Sequence, residues 1–509
     1  MKDSNLSITA TKKEWMGLFV LALTCMLYSM DLTVLNLALP QLSRDLKPSS
    51  SQLLWIVDIY GFFLAGSLIT MGTLGDRIGR RKMLLIGGAL FALVSAVAAF
   101  SNSSEMLIFL RALQGMAGAT LAPSTLSLIR VLFRNPKQRT IAIGLWGTSF
   151  SIGGLIGPLI GGFLLEHFWW GSVLLINVPV MLLMIVLGPI LLPEYKDAQA
   201  GKIDLISAGL SLVSVLLIVL GLKKSVELGL QLFPVLSFFT GAALATLFIQ
   251  RQEKLKDPLV DLSLFHHLKF NALLVTNFLT MFVVFGTFIF TPQYMQLIMG
   301  LSPLEAGAWS MSFSAGFIIS ALLCPPLAQR IRPASVMTLG LLLAACGFGL
   351  VSQVNGVTDI LLLAAGTFLF SLGCSPVLLF TTGMLVNSAP AEKAGVTAAI
   401  SETSNELGGA LGIAVLGSLG NVLYHKKLNN LSFGNVDSST LKAFQGTLTN
   451  ALSAAEKLPA ELSAKLIPMI HDSFIDSFKT TMLVSAVMLV LISILVWTQL
   501  RDVKLEDEH

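Results

Sequence analysis

The chain has 509 residues, of which 54% are hydrophobic and only 12% charged, with a formal net charge of +4 and a mean hydropathy of +0.79. That balance excludes a soluble globular domain and describes a protein of the lipid bilayer. The slight basic excess reports membrane topology and gives no sign of nucleic-acid binding.

A helix needs about 20 apolar residues to cross roughly 30 Å of hydrocarbon at about 1.5 Å per residue. In chain order, fourteen runs meet that need, over residues 16–39, 52–72, 83–102, 105–129, 139–165, 169–192, 204–222, 231–250, 271–298, 303–328, 334–352, 358–385, 396–423 and 477–499. The expectation is an all-α integral membrane protein whose short connections leave little room for a soluble domain. The first run is too long and continuous for a cleavable signal, and no small-residue cleavage pattern closes it, so it should remain as the first helix. Lys and Arg gather in alternate connections, starting with Lys2, Lys12 and Lys13 and then residues 77–82. By the positive-inside rule both termini are cytoplasmic. One long external connection, 424–476, carries apolar residues at helical spacing interrupted by Pro459 and Pro468. Short amphipathic helices are expected there, as a hairpin over the outer mouth.

The four cysteines, Cys25, Cys324, Cys346 and Cys374, fall inside expected spans without CxxC spacing, so they read as reduced packing residues. His167, His266, His267, His425, His471 and His509 all sit in connections or at helix ends. No metal site, cofactor or intramembrane histidine base is expected, which disfavours a membrane enzyme.

Five ionisable residues remain within the hydrocarbon: Asp31 in "MDLTVLNLALP" (30–40), Asp58 in "LWIVDIYGFFLAG" (54–66), Arg111, Glu402 and Glu406. Each costs roughly 2.5–3.5 kcal/mol or more near the bilayer centre, so such groups face a cavity or pair with one another. One base neutralises only one of four acids; the rest must be protonated or await a cationic ligand. Glu402 and Glu406, four residues apart, share a helix face on which like charges repel. Asp31 and Arg111 lie at similar depth, about 9–12 Å from the external ends of their helices, within reach of one another. A proton arriving at Asp31 would release Arg111, a plausible switch.

Three longer signatures accompany these charges. "GTLGDRIGRRK" (72–82) sets Asp76 against Arg77, Arg80, Arg81 and Lys82 in a glycine-bearing turn. "LRALQGMAGA" (110–119) surrounds Arg111. "GGLIGPLIGG" (153–162) spaces Gly153, Gly157 and Gly161, with Gly162, around Pro158; small residues at that spacing also serve plain helix packing. Together they resemble the signatures of the major facilitator superfamily: a cytoplasmic latch, the buried base tied to proton coupling, and the helix-packing antiporter signature of exporters. With "INVPV" (176–180), "LFRNPKQR" (132–139) and "AGVTAAISETSNELGGALG" (394–412), the chain resembles the fourteen-helix drug:proton antiporters, especially the QacA-type quaternary-ammonium multidrug exporters.

That resemblance implies a major facilitator fold of six, two and six helices: an N-terminal bundle over 1–195, two inserted helices over 196–255, and a C-terminal bundle over 256–509 that includes the 424–476 loop. It implies a monomer in the bacterial plasma membrane with protons and small lipophilic cations as partners. Asp31, Asp58, Glu402 and Glu406 match family acids, the last with Glu in place of Asp. Two departures stand out: Ser401-Glu402 replaces a pair of adjacent acids, and Phe317, in "FSAGFIIS" (313–320), stands where those exporters carry Asp. Fewer cavity charges put divalent substrates in doubt. The expected activity is proton-coupled export of cationic drugs, antiseptics and dyes. Export of an endogenous lipid or metabolite, proton-coupled import, and a flux-free receptor or intramembrane enzyme are the other readings.

Overall fold

The computed structural model describes residues 9–196, 204–228, 231–255, 258, 262–328, 330–356, 358–387, 394–429, 444 and 446–501. Among these, helices are the only extended regular elements: α1 (Lys12–Leu46), α2 (Ser50–Ile78), α3 (Arg80–Ala99), α4 (Ser104–Gly118), α5 (Leu121–Leu132), α6 (Pro136–His167), α7 (Ser172–Leu175), α8 (Asn177–Leu191), α9 (Leu205–Leu228) and α10 (Leu232–Lys254). There follow α11 (Leu268–Phe288), α12 (Phe290–Gln293), α13 (Pro303–Ala328), α14 (Pro333–Val351), α15 (Ile360–Asn387), α16 (Ala394–Gly412), α17 (Ser418–Asn429), α18 (Leu448–Ala455) and α19 (Ala460–Leu500). Two π-turns, Tyr294–Ile298 and Ile413–Gly417, carry α12 and α16 onward.

Twelve helical stretches among the described residues are long and apolar enough to cross a membrane, so this is a multi-pass membrane protein. The first expected run is α1, which bends by 41° between Asp31 and Thr33; the seventh is a shorter apolar helix, Ile206–Leu222. The ends of several helices follow from local chemistry. Thr11 with Glu14 and Ser49 with Gln52 form capping boxes that satisfy the first amide donors of α1 and α2. Gly79 ends α2 at φ 116°, a conformation that favours glycine, and a side chain there would also meet the Glu194 carboxylate at 2.5 Å.

Helices α1–α8 pack on one another, as do α11–α17 with α19. The two groups meet through α6 against α13 and α2 against α16. Between them in sequence, α9 and α10 form a pair, and α9 also touches α2 on one side and α17 with its π-turn on the other. A small core of Phe62, Val219, Ala410 and Ala414 fills that seam. Asp204 and Arg251 clamp the pair at one end, Nε to Oδ2 at 2.8 Å and Nη2 to Oδ1 at 3.0 Å. These two hydrogen bonds and those from Ser207 hold the Asp204 carboxyl well below the ordinary carboxylate range.

The groups are packed tightly at the end that carries Pro48 and Ser302. Gln296 donates to the Leu37 carbonyl at 2.9 Å, and Ser314 to the Gly154 carbonyl at 3.2 Å. A Cβ at Gly162 would lie 2.6 Å from the Pro303 carbonyl oxygen, and one at Gly307 2.2 Å from that of Pro158. Toward the opposite end Gly144 and Gly147 of α6 and Gly383 of α15 are exposed, with nothing within 4 Å of a Cβ built at each. The cross-group contacts named above make the first of these ends a closed face.

The 424–476 segment departs from expectation in two ways. The helix of α16 and its π-turn runs on to Asn429, and α19 is one continuous helix from Ala460. Pro459 does interrupt the helical run, standing at the N-cap of α19, but Pro468 lies inside that helix. The carbonyl that Pro468 leaves without a donor belongs to Ala464, on an exposed residue, where solvent can satisfy it. The short helix α18 folds over the closed face, with Asn450 donating to the Pro48 carbonyl at 3.1 Å and Ser50 to that of Gly446 at 2.8 Å. Residues 430–443 and 445 of this segment lie outside the described residues.

Candidate functional site

A cavity of about 330 Å³ lies between the two groups of helices. Asp58 of α2, Glu402 and Glu406 of α16 and Phe317 of α13 all line it, so residues of three helices far apart in sequence share one space. Three carboxyl groups, those of Asp58, Glu402 and Glu406, therefore face a largely apolar volume. Its walls are aromatic: Tyr28, Tyr60, Phe150, Phe285, Phe288 and Phe313. Helical spacing puts both glutamates on the cavity face of α16, and each has its own neighbour. Tyr28 donates its hydroxyl to Glu406 Oε1 at 2.8 Å, and Asn405 donates to Glu402 Oε2 at 3.4 Å. Behind Asn405, Asn277 bridges to Thr381, whose hydroxyl donates to Asn277 Oδ1 at 2.9 Å.

Asp31 and Arg111 do not line this cavity. They meet behind its wall, fully buried, with Arg111 Nη1 2.8 Å from Asp31 Oδ2. The other carboxylate oxygen, Oδ1, accepts from Asn177 at 2.8 Å and Gln114 at 3.3 Å, while Ser95 receives a second bond from Gln114 at 2.9 Å. Gln114 also accepts from Arg111 Nη1 at 2.8 Å. The guanidinium carbon sits 4.4 Å from the centroid of the Tyr60 ring, a cation–π contact. Tyr60 thus touches the cavity and the buried ion pair at once. Tyr28, on the same helix as Asp31, links to Glu406, so two tyrosines are the layer between the sites. Neutral polar residues carry much of this arrangement. Asn177 lies in the "INVPV" segment and Gln114 three residues after Arg111, yet neither attracts attention by its cost of burial.

The glycine signature of α6 is a packing surface. A Cβ at Gly153, Gly157 or Gly161 would lie 2.1 Å from the Met26 carbonyl oxygen, 2.5 Å from Thr33 Oγ1, or 2.6 Å from Val34 Cγ1, all of α1. Gly162 faces α13 instead, and Pro158 lines the cavity. One helix therefore presses on α1 beside Asp31 and reaches across to the other group.

At the face opposite the closed one, Arg81 donates to the carbonyl of Leu192 at 2.9 Å, its amide donates to Glu194 Oε1 at 3.0 Å, and its Nε lies 3.6 Å from Glu194 Oε2. Arg80 is buried, and its amide donates to the Tyr195 carbonyl at 2.8 Å, whereas Arg77 is exposed. These contacts join the α2–α3 turn to the end of α8. The Asp76 side chain lies outside the described residues.

A fold of this topology with a central cavity is that of a solute transporter. The sequence matches the Major Facilitator Superfamily over residues 21–413, and the chain belongs to that family of non-enzymatic transporters. It is 38% identical to the multidrug efflux pump LfrA of Mycolicibacterium smegmatis over 476 residues, 94% of each protein. It is 34% identical to the methyl viologen resistance protein SmvA of Salmonella typhimurium, with 96% and 98% of the two chains covered. The tetracenomycin C resistance and export protein of Streptomyces glaucescens is 32% identical, over 96% of this chain and 92% of that one. Among solved structures, an inward-facing bacterial homologue of the human lysosomal transporter Spinster shares the fold, with a TM-score of 0.67 at 16% identity, covering 97% and 98% of the two chains.

Proposed function

We propose that this protein is a proton-coupled antiporter that exports lipophilic cations, quaternary ammonium compounds and dyes among them. The observation that carries the reading is the cavity with three carboxyl groups and aromatic walls. A cation in such a space gains ion attraction and cation–π contact while its apolar body is wrapped by rings. The names of relatives that share 38% and 34% of this sequence, a multidrug efflux pump and a methyl viologen resistance protein, support drug export. The tetracenomycin relative favours a second reading, in which the natural cargo is a metabolite and drugs are passengers.

In this proposal the chain spans the membrane fourteen times, as six, two and six helices, with the bent α1 and the shorter α9 each crossing once. Both termini are cytoplasmic and the protein acts as a monomer. The closed face that α18 covers is then the outer one, and the opposite face, toward which the cavity opens in this proposal, is the cytoplasmic one. The α2–α3 turn, with Asp76, Arg77, Arg80 and Arg81, latches the inner face when the halves rock together. A cation enters and sits against Glu402, Glu406 or Asp58. After the halves rock to open outward, protons from outside neutralise the carboxylates and the cation departs. Protonation of Asp31 frees Arg111, and Tyr60 and Tyr28 transmit that change between the buried pair and the cavity. Each net charge carried inward through 100 mV releases roughly 2.3 kcal/mol, which supports a gradient of about fifty-fold.

The test is transport of a panel of cationic dyes in inverted vesicles with and without an imposed pH gradient. Gradient-driven accumulation of cations, with proton efflux from the vesicles as the dye enters, is the expected result. Absence of any gradient-dependent movement across the panel would overturn the proposal.

A further inference from the structure

A second hollow, of about 30 Å³, lies beyond the cavity wall, among α11, α12 with its π-turn, α13, α14 and α15. None of its lining residues is charged. Its walls are an aromatic chain: Phe348 stacks on Phe370 with centroids 4.1 Å apart, Phe370 neighbours Phe313 at 5.9 Å, and Phe313 neighbours Phe288 at 5.5 Å. Trp309 and Met295 complete the walls. Phe288, Phe313 and Ser310 also line the main cavity, so the two spaces share a partition made chiefly of two rings. The recess lies toward the closed face, because Trp309 and Ile360 stand within the first two turns of α13 and α15, which begin there.

We propose that this recess is a second subsite, which receives the neutral apolar arm of a cationic substrate whose charged head stays among Asp58, Glu402 and Glu406. The inference rests on the reading of the main cavity as a site for lipophilic cations. Charge is confined to one side of the partition: every cavity acid lies in the main cavity, and the recess offers rings, aliphatic side chains, a thioether and a few hydroxyls. As it stands the recess accepts little more than a methyl group. Rotation of the Phe313 ring merges it with the cavity, and Met295, with its flexible thioether, adapts to what enters. An apolar hollow of this kind stays dry and takes apolar guests. The recess thereby sets specificity by the length and bulk of one substituent, while the carboxylates set it by charge.

The assay uses the full-length protein in proteoliposomes and a series of alkyltrimethylammonium ions from methyl to dodecyl. Half-saturating concentrations are taken as the ratio of variant to parent at each length, so that partition of the longer ions into lipid cancels. Each methylene that leaves water for the recess tightens binding by about four-fold. Ala364→Phe fills the recess from α15 without touching the main cavity, since Ala364 lines only the recess. The ratio should stay near one for the shortest transported ion and rise about ten-fold or more for the long ones. Ala364→Gly enlarges the recess and should move the long ions the opposite way, which keeps the test decisive if the larger substitution prevents folding. Equal ratios at every length in the folded variants would overturn the recess while leaving cation export intact. Failure of the parent to move any of these ions would instead overturn the cavity reading.

Discussion

Asp31→Asn separates stability from coupling, because the structure predicts a different outcome for each. Asp31 is the only anion that Arg111 touches among the described residues, and the guanidinium is almost fully buried with its Nε without a partner. Removing the negative charge leaves Arg111 with no anion, only the neutral side-chain oxygens of Gln114 and of the new amide and the Tyr60 ring. Breaking one side of such a buried pair costs about 3–5 kcal/mol, because the remaining charge is uncompensated. The new amide adds a second difficulty. Arg111 donates to one carboxylate oxygen and Asn177 and Gln114 to the other, so whichever place the amide nitrogen takes, it faces at least one donor.

Asp31→Asn should therefore lower thermal stability in detergent markedly, and Asp31→Asn with Arg111→Gln should recover most of the loss, since a pair of neutral partners leaves no buried charge. Transport should behave otherwise. Both variants should fail at gradient-driven efflux, because neither has a proton site at position 31. The measurements are detergent thermal melts and dye efflux from energised vesicles, normalised to protein in the membrane. Full efflux by the double variant would refute the coupling role of Asp31 and reduce the cluster to a structural ion pair. Equal stability of the single variant and the parent would refute the electrostatic argument itself.

Four further outcomes are expected. Glu402→Gln and Glu406→Gln should lose different sets of substrates, since one glutamate is bonded to Tyr28 and the other to Asn405; parent-like transport of every cation by both would remove α16 from the site. Phe317→Asp should improve efflux of rigid dications such as methyl viologen relative to monovalent cations, by adding a carboxylate to the cavity wall; efficient methyl viologen efflux by the unmodified chain would show that Asp58, Glu402 and Glu406 already suffice. Gly157→Leu should abolish efflux by forcing α6 from α1, whereas Gly144→Ala, at a position with open space, should leave it unchanged; dye efflux at matched expression distinguishes the two. The Asp204 carboxyl is held below its ordinary value, so its contribution to docking α9 on α10 is fully present above that value and fades only on acidification through the lowered one. Hydrogen exchange in α9 and α10 should be unaffected by this pair between about pH 5 and 8, and should rise only modestly in Asp204→Asn, because Arg251 is partly exposed and solvent screens the pair.

The membrane frame was legible because crossing a bilayer imposes a length and an apolarity that no other constraint imitates, and the expected apolar runs fall on helices. The charged residues were legible for the same reason in reverse. A carboxylate among apolar neighbours is costly, so Asp31, Asp58, Glu402 and Glu406 stand out, and their grouping into one cavity and one buried pair follows from helix packing. Neutral polar residues offer no such contrast. Asn177, Gln114, Ser95 and Asn277 are fully buried and bear directly on the acids or on their neighbours, but an amide in a helix is cheap enough to pass for packing. Proline misled in the same way, since Pro468 is a breaker only where the carbonyl it orphans is cut off from water. The tyrosines were hidden by their double character: Tyr28 and Tyr60 read as core aromatics, and their importance lies in which side of the ring meets a charge. A network of buried charge is therefore always larger than the set of charged residues that reveals it, and its neutral members are where substitutions that change coupling without changing charge should be sought.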